Sequence, residues 1–162
     1  MAVVSSFANT SLGTGTLLDS SKSGSTKQLS QLVSVAAADD DTSVYGLFLV
    51  NSNDAPVSCQ IQTTAITGGT DYDLGLYAYN MDGTIGAVAD KDILMDGQTM
   101  ATASLVLNGL GAVTADLRGK KFWQLLGLSA DPQKTYVVAL TANTVGTAAG
   151  SINVDLTIAT AG

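Results

Sequence analysis

From about residue 28 onward the chain alternates apolar and polar side chains in short runs, and each run ends in a cluster of turn-forming residues. That two-residue period marks strands with one buried face. Leu29, Val33 and Val35 point one way in the first run. Residues 44–50 (VYGLFLV) are apolar on both faces, which predicts a central strand covered on two sides. After the turn residues Asn51, Ser52, Asn53, Asp54, Ala55 and Pro56, the apolar set Val57, Cys59, Ile61 and Ala65 alternates with Ser58, Gln60, Gln62 and Thr64. Gly68 and Gly69 turn the chain into a run where Tyr72, Leu74, Leu76 and Ala78 oppose Asp71, Asp73, Gly75 and Tyr77.

The pattern weakens over residues 80–100, which read as loop-rich with one short strand at 85–89. It returns at 101–107, where Ala103, Leu105 and Leu107 share a face. The helical candidate is 120–127, with Phe122, Trp123 and Leu126 on one side, Gly127 to end the turn and Trp123 to plug one end of the core. The two clearest runs come last: Tyr136, Val138 and Leu140, then Ile152, Val154, Leu156 and Ile158 with Asn153, Asp155 and Thr157 facing out. They read as a pair, joined by a link at 143–150 that is long for a hairpin but full of turn formers. Seven or eight short strands spaced by turns predict an all-β fold, an antiparallel two-sheet sandwich. Residues 1–27 lack the two-residue period and are rich in Ser, Thr and Gly, with Phe7, Leu12, Leu17 and Leu18 as isolated apolar anchors. They are expected to form an extended N-terminal arm that orders against a neighbour, leaving 28–162 as the sandwich domain.

Composition narrows the chemistry. All fourteen acidic residues are aspartate, and there is no histidine. Aspartate favours turns and caps over helix interiors, so this choice fits strands joined by turns. Without histidine the usual proton shuttle and the commonest metal ligand are missing, and a Ser-His-Asp triad is impossible. Charged residues are 13% of the chain, well below the usual quarter, so part of the surface is expected to be covered by another chain. A net charge of −7, with Arg118 the sole arginine, argues against a nucleic-acid partner. No apolar run approaches the ~18 residues of a membrane span. The first residues lack a basic flank and a long apolar core, so synthesis in the cytoplasm without a classical export signal is expected. Cys59, the single cysteine, sits in an alternating run and reads as a small buried apolar residue.

Three aspartate groups could supply some of the oxygens a calcium ion needs: Asp39, Asp40 and Asp41; Asp71 and Asp73; Asp90 and Asp92. None has EF-hand spacing, and all read as solvated loop carboxylates. Paired aspartates can hydrolyse glycosides without histidine, but no spacing singles out a pair. An enzyme is not expected, nor a metal or cofactor. Tyr77 and Tyr79 share an outward face and are candidate contacts for a partner chain or a sugar.

Three segments resemble a family of small virion proteins of tailed bacteriophages that decorate or cement the capsid. They are residues 68–77 (GGTDYDLGLY), 122–132 (FWQLLGLSADP), and 136–144 (YVVALTANT) with 150–152 (GSI), within a stretch of 44–158 that excludes the arm. The resemblance implies a jelly-roll-like sandwich, oligomeric as a dimer or trimer, gripping the major capsid protein on the outer surface of the virion. It carries over no binding residue. The expected function is therefore a non-enzymatic capsid decoration protein that stabilises the lattice by surface burial. The alternative is a receptor- or glycan-binding module of a tail fibre or surface appendage.

Overall fold

The computed structural model describes residues 5–7 and 25–160. Leu12, Leu17 and Leu18 lie outside the described residues. The described residues form nine strands and one short helix: β1 (Ser5–Phe7), β2 (Thr26–Val35), β3 (Ser43–Asn51), β4 (Ala55–Thr63), β5 (Asp71–Tyr79), β6 (Ile85–Gln98), β7 (Ser104–Asn108), α1 (Phe122–Leu125), β8 (Thr135–Thr144) and β9 (Gly150–Ala159). They make two sheets, ordered β1-β3-β8-β5-β6 and β2-β9-β4-β7. Apart from the β5–β6 hairpin, every connection crosses from one sheet to the other. Setting β1 aside, the remaining eight strands have the double Greek-key order of a jelly roll, as expected.

The inward residues follow the two-residue period closely. Val33 and Val35, Tyr72, Leu74 and Leu76, Tyr136, Val138 and Leu140, and Ile152, Val154, Leu156 and Ile158 all lie in one buried core. Burying each such aliphatic side chain contributes about 1.5–3 kcal/mol. β2 begins at Thr26, inside the last residues of the expected arm, and Ser5–Phe7 pairs in parallel with Val44–Gly46 of β3. β3 is therefore flanked on both sides, by β1 and β8, over this part of its length.

Several expectations need correction. The runs at β8 and β9 are not hairpin partners: β8 pairs with β3 and β5, β9 with β2 and β4. The link between them crosses an end of the sandwich, so their apolar faces meet through the core instead of lying side by side. β6 runs for 14 residues where a loop with a short strand was expected. Its alternation is hidden because it pairs with β5 through four register shifts. Val57 is 50% exposed, since a bulge between Pro56 and Ser58 turns it outward, and Ala65 is exposed while Ile66 is buried. β7 starts only at Ser104, and Ala103 is exposed. The helix is a single turn in which Phe122 and Leu125, three residues apart, are the buried pair. Phe122, not Trp123, is the side chain enclosed at that end, and Trp123 is half-buried.

Cys59 is buried, and desolvation, followed by the nearby Asp155 charge, pushes its thiol up to about 12. It is a packed core residue.

Candidate functional site

The aspartate groups are architectural. Asp39 Oδ2 accepts hydrogen bonds from the Ala36 amide at 3.0 Å and from the Tyr45 hydroxyl at 2.6 Å. Burial, with that bond to Asp39 second, raises the Tyr45 hydroxyl well above its ordinary value. Asp41 Oδ1 accepts from the Val145 amide at 2.9 Å, tying the β2–β3 turn to the β8–β9 link. Thr42, between these anchors, has φ 70°, a left-handed conformation unusual for a β-branched residue. Its amide donates to the Ala142 carbonyl at 2.8 Å.

Asp71 and Asp73 meet across the outer face of the β1-β3-β8-β5-β6 sheet with Asn143. The Asn143 amide donates to Asp71 Oδ1 at 3.0 Å and to Asp73 Oδ2 at 2.5 Å. Lys91 Nζ donates to Asn143 Oδ1 at 2.7 Å and lies 3.3 Å from Asp73 Oδ2. The Gly97 amide closes the set on Asp73 Oδ1 at 2.8 Å. Asp73 is buried, and its donors come from two neighbouring strands, Lys91 and Gly97 on β6 and Asn143 on β8, so this carboxylate is satisfied by the protein itself. Among the described residues, no group of three or more Cys or Asp side chains is placed to hold a metal.

The arrangement depends on Gly75. A Cβ there would overlap the Asp90 carbonyl oxygen and the Lys91 backbone, because β6 arches over the sheet at this point. The arch carries Asp90 and Asp92 close together. Desolvation, and then the shared hydrogen bond with Asp92, raise the Asp90 carboxyl above its ordinary 3.8. A raised aspartate binds more protons folded than unfolded, so ionised Asp90 opposes folding, and the penalty fades as pH falls through its folded pKa toward 3.8. Asp90→Asn is expected to raise the melting temperature at pH 7 and to lose that advantage near pH 4. Thermal melts at both pH values check it; an advantage that persists undiminished at acid pH would assign the effect to something other than charge.

Beside the arch, a second apolar layer forms on the outer sheet face. Tyr77, Val137 and Ala139 are buried there, with Val44, Leu49 and Ile85 packed against them. Tyr77 is only 7% exposed, and its hydroxyl shares a 2.8 Å hydrogen bond with Thr141. Tyr79, at 37%, is the more accessible of the two candidate tyrosines. It lines an open cleft of about 400 Å³ with Ala78, Lys134, Thr135 and Tyr136. The β5–β6 hairpin also exposes Met81 and Val88. Of the arm candidates, Phe7 lies on β1, its backbone opposite Gly46. Sequence reasoning found Tyr79 but missed Lys134, Thr135 and Tyr136, which join it only because β5 and β8 are neighbours.

At the other side of this end, α1 is fastened to the β3–β4 turn. The Phe122 amide donates to the Asp54 carbonyl at 2.9 Å and the Trp123 amide to the Ser52 carbonyl at 3.1 Å. Ser52 also donates through its hydroxyl to Asp131, which fixes the approach to β8. The segment 122–132 is thus a structural corner.

No protein-family model matches the chain, and no curated protein sequence matches it. Among solved structures, a chain of the capsid of Ralstonia phage GP4 superposes with a TM-score of 0.66 at 14% identity, covering 100% of this chain and 99% of that one. A chain from the capsid asymmetric unit of cyanophage Pam1 aligns with a TM-score of 0.47 at 13% identity, over 85% of this chain and 86% of that one.

Proposed function

We propose that this chain is a non-enzymatic structural protein of a phage virion, and within the virion a decoration or cement protein on the outer capsid surface. The observation that carries the reading is the end-to-end correspondence with a chain of a phage capsid, 100% of one against 99% of the other. A shared domain inside a larger, unrelated protein would leave much of one chain unmatched. The chemistry agrees. The carboxylate groups are absorbed in turns and in the Asp73–Lys91–Asn143 network, and the surface is poor in charge. Its partner is then the major capsid protein, bound by surface burial, with the chain itself a dimer or trimer. Phe7, Leu12, Leu17 and Leu18 would supply arm contacts, with Tyr79 as the sheet-face contact, while Tyr77, buried in the second apolar layer, takes no direct part.

The test is localisation on purified particles by immunogold labelling, followed by binding to particles that lack the protein. Label on the capsid shell and saturable binding are expected. A full-length variant carrying Leu12→Ser, Leu17→Ser and Leu18→Ser should bind at least about tenfold more weakly, the loss of ~1.4 kcal/mol or more of contact energy. Label confined to the tail would reject the decoration reading. It would favour the receptor- or glycan-binding alternative, for which the cleft at Tyr79, Lys134 and Tyr136 is the specific supporting feature.

A further inference from the structure

An open sheet edge presents unpaired N–H and C=O groups to any other strand, and folded proteins commonly blunt it with bulges, prolines, charges or a covering segment. Three of the four edges here are blunted. β1 lies along β3, which also has a bulge between Gly46 and Phe48. β6 is broken by four register shifts and carries Asp90, Lys91, Asp92 and Asp96. On the remaining side of the second sheet, β7 is short and pairs irregularly with β4, which is itself bulged at Pro56.

β2 differs. Its ten residues match β9 one to one, from Thr26 against Ala159 to Val35 against Gly150, with no register shift. It contains no Pro and no Gly. Its one charged side chain, Lys27, sits at the second position, so residues 29–35 carry no charge at all. Leu32 stands 54% exposed on the outer face. Among the described residues, no strand pairs with the outer edge of β2. The charge pattern also singles it out: residues 20–38 contain no carboxylate, although the chain carries −7 overall. Two copies approaching through β2 avoid the mutual repulsion that the rest of the surface imposes.

We propose that β2 is a self-association edge, pairing antiparallel with β2 of a second copy across a two-fold axis, with Leu32 opposite Leu32. This register keeps faces matched, as strand pairing requires. Ser30 then lies opposite Ser34 on the outer side, while Leu29 meets Val35 and Gln31 meets Val33 on the inner side. Lys27 falls beyond the end of the partner strand. Sliding the pair by two residues would separate the leucines, and in one direction set Lys27 against Val35. The proposal deepens the homo-oligomeric reading above by naming its surface, but its test uses no capsid and so fails or succeeds apart from particle binding.

The experiment is disulfide trapping in the full-length chain, alongside sedimentation of the unsubstituted protein. Directly opposed residues have Cα atoms about 4.5–5.5 Å apart, within the range a disulfide spans. Leu32→Cys is expected to give a covalent dimer on mild oxidation. Ser34→Cys should cross-link at least about tenfold more slowly, because its mate lies four residues along, roughly 13 Å away. The native Cys59 is buried and does not compete. The unsubstituted chain should sediment as a concentration-dependent dimer, and Leu32→Lys should move its midpoint about tenfold higher or more, one like-charge pair across the axis. A monomer at all concentrations, or a trimer, overturns the proposal. Equal cross-linking at positions 32 and 34 overturns the register and with it the two-fold pairing.

Discussion

Leu156→Asp is expected to abolish folding, while Thr157→Asp, one residue along, is expected to leave the melting temperature nearly unchanged. Leu156 is 0% exposed in the middle of β9, and its backbone neighbours are Leu29 on β2 and Cys59 on β4. An aspartate there would be buried among apolar core side chains, and a charge buried without full pairing costs several kcal/mol even after relaxation. Losing the leucine adds about 2–5 kcal/mol for the removed contacts and the cavity. The sum is comparable with the 5–15 kcal/mol by which a whole domain is stable. Thr157 points to the other face, where surface substitutions usually stay within about 0.5 kcal/mol. Soluble yield and thermal melts by circular dichroism decide the matter. Cooperative melting of Leu156→Asp would mean that β9 presents its other face to the core.

That contrast rests on the part of the fold most legible in the sequence. β9 alternates without interruption, and so do the inward positions of β5 and β8, because each faces one core with no bulge among them that changes which side is buried. Where a bulge intervenes the reading fails. Val57 keeps its place in the alternation by number, but the bulge after Pro56 rotates it outward. β6 is the extreme case: between Leu76 opposite Asp90 and Leu74 opposite Met95, five steps of β6 match two of β5. Those extra residues form the arch, and no local pattern announces it, because its reason is the space left above Gly75 on another strand. Sheet membership is hidden in the same way. The runs of β8 and β9 look like a hairpin, and only the global strand order separates them. The candidate site was legible only at its first residue: Tyr79 shows by its outward position, whereas the cleft around it needs Lys134 and Tyr136 from a strand more than fifty residues on.

The arch gives the second large effect. Gly75→Val is expected to lower the melting temperature by roughly 5–12 °C, equivalent to about 2–3 kcal/mol for a domain of this size. The glycine is required by close approach: any side chain would occupy the position of the Asp90 carbonyl and the Lys91 backbone, which cannot shift without lifting β6 from the sheet. Lifting it separates Lys91 from Asp73 and Asn143, now 3.3 Å and 2.7 Å away, and leaves the buried Asp73 carboxylate short of a cation. It also pulls the Gly97 amide from Asp73 Oδ1. Steric displacement and loss of the ion pair are separable. Lys91→Met removes the charge but leaves the arch free to sit down, so it should cost less than Gly75→Val and preserve the exchange protection of the Gly97 amide. Gly75→Val should destroy that protection along with stability. If Gly75→Val melts like the unsubstituted protein with Gly97 still protected, the arch does not rest on the sheet at Gly75, and the Asp73–Lys91–Asn143 network must be held in place by other contacts.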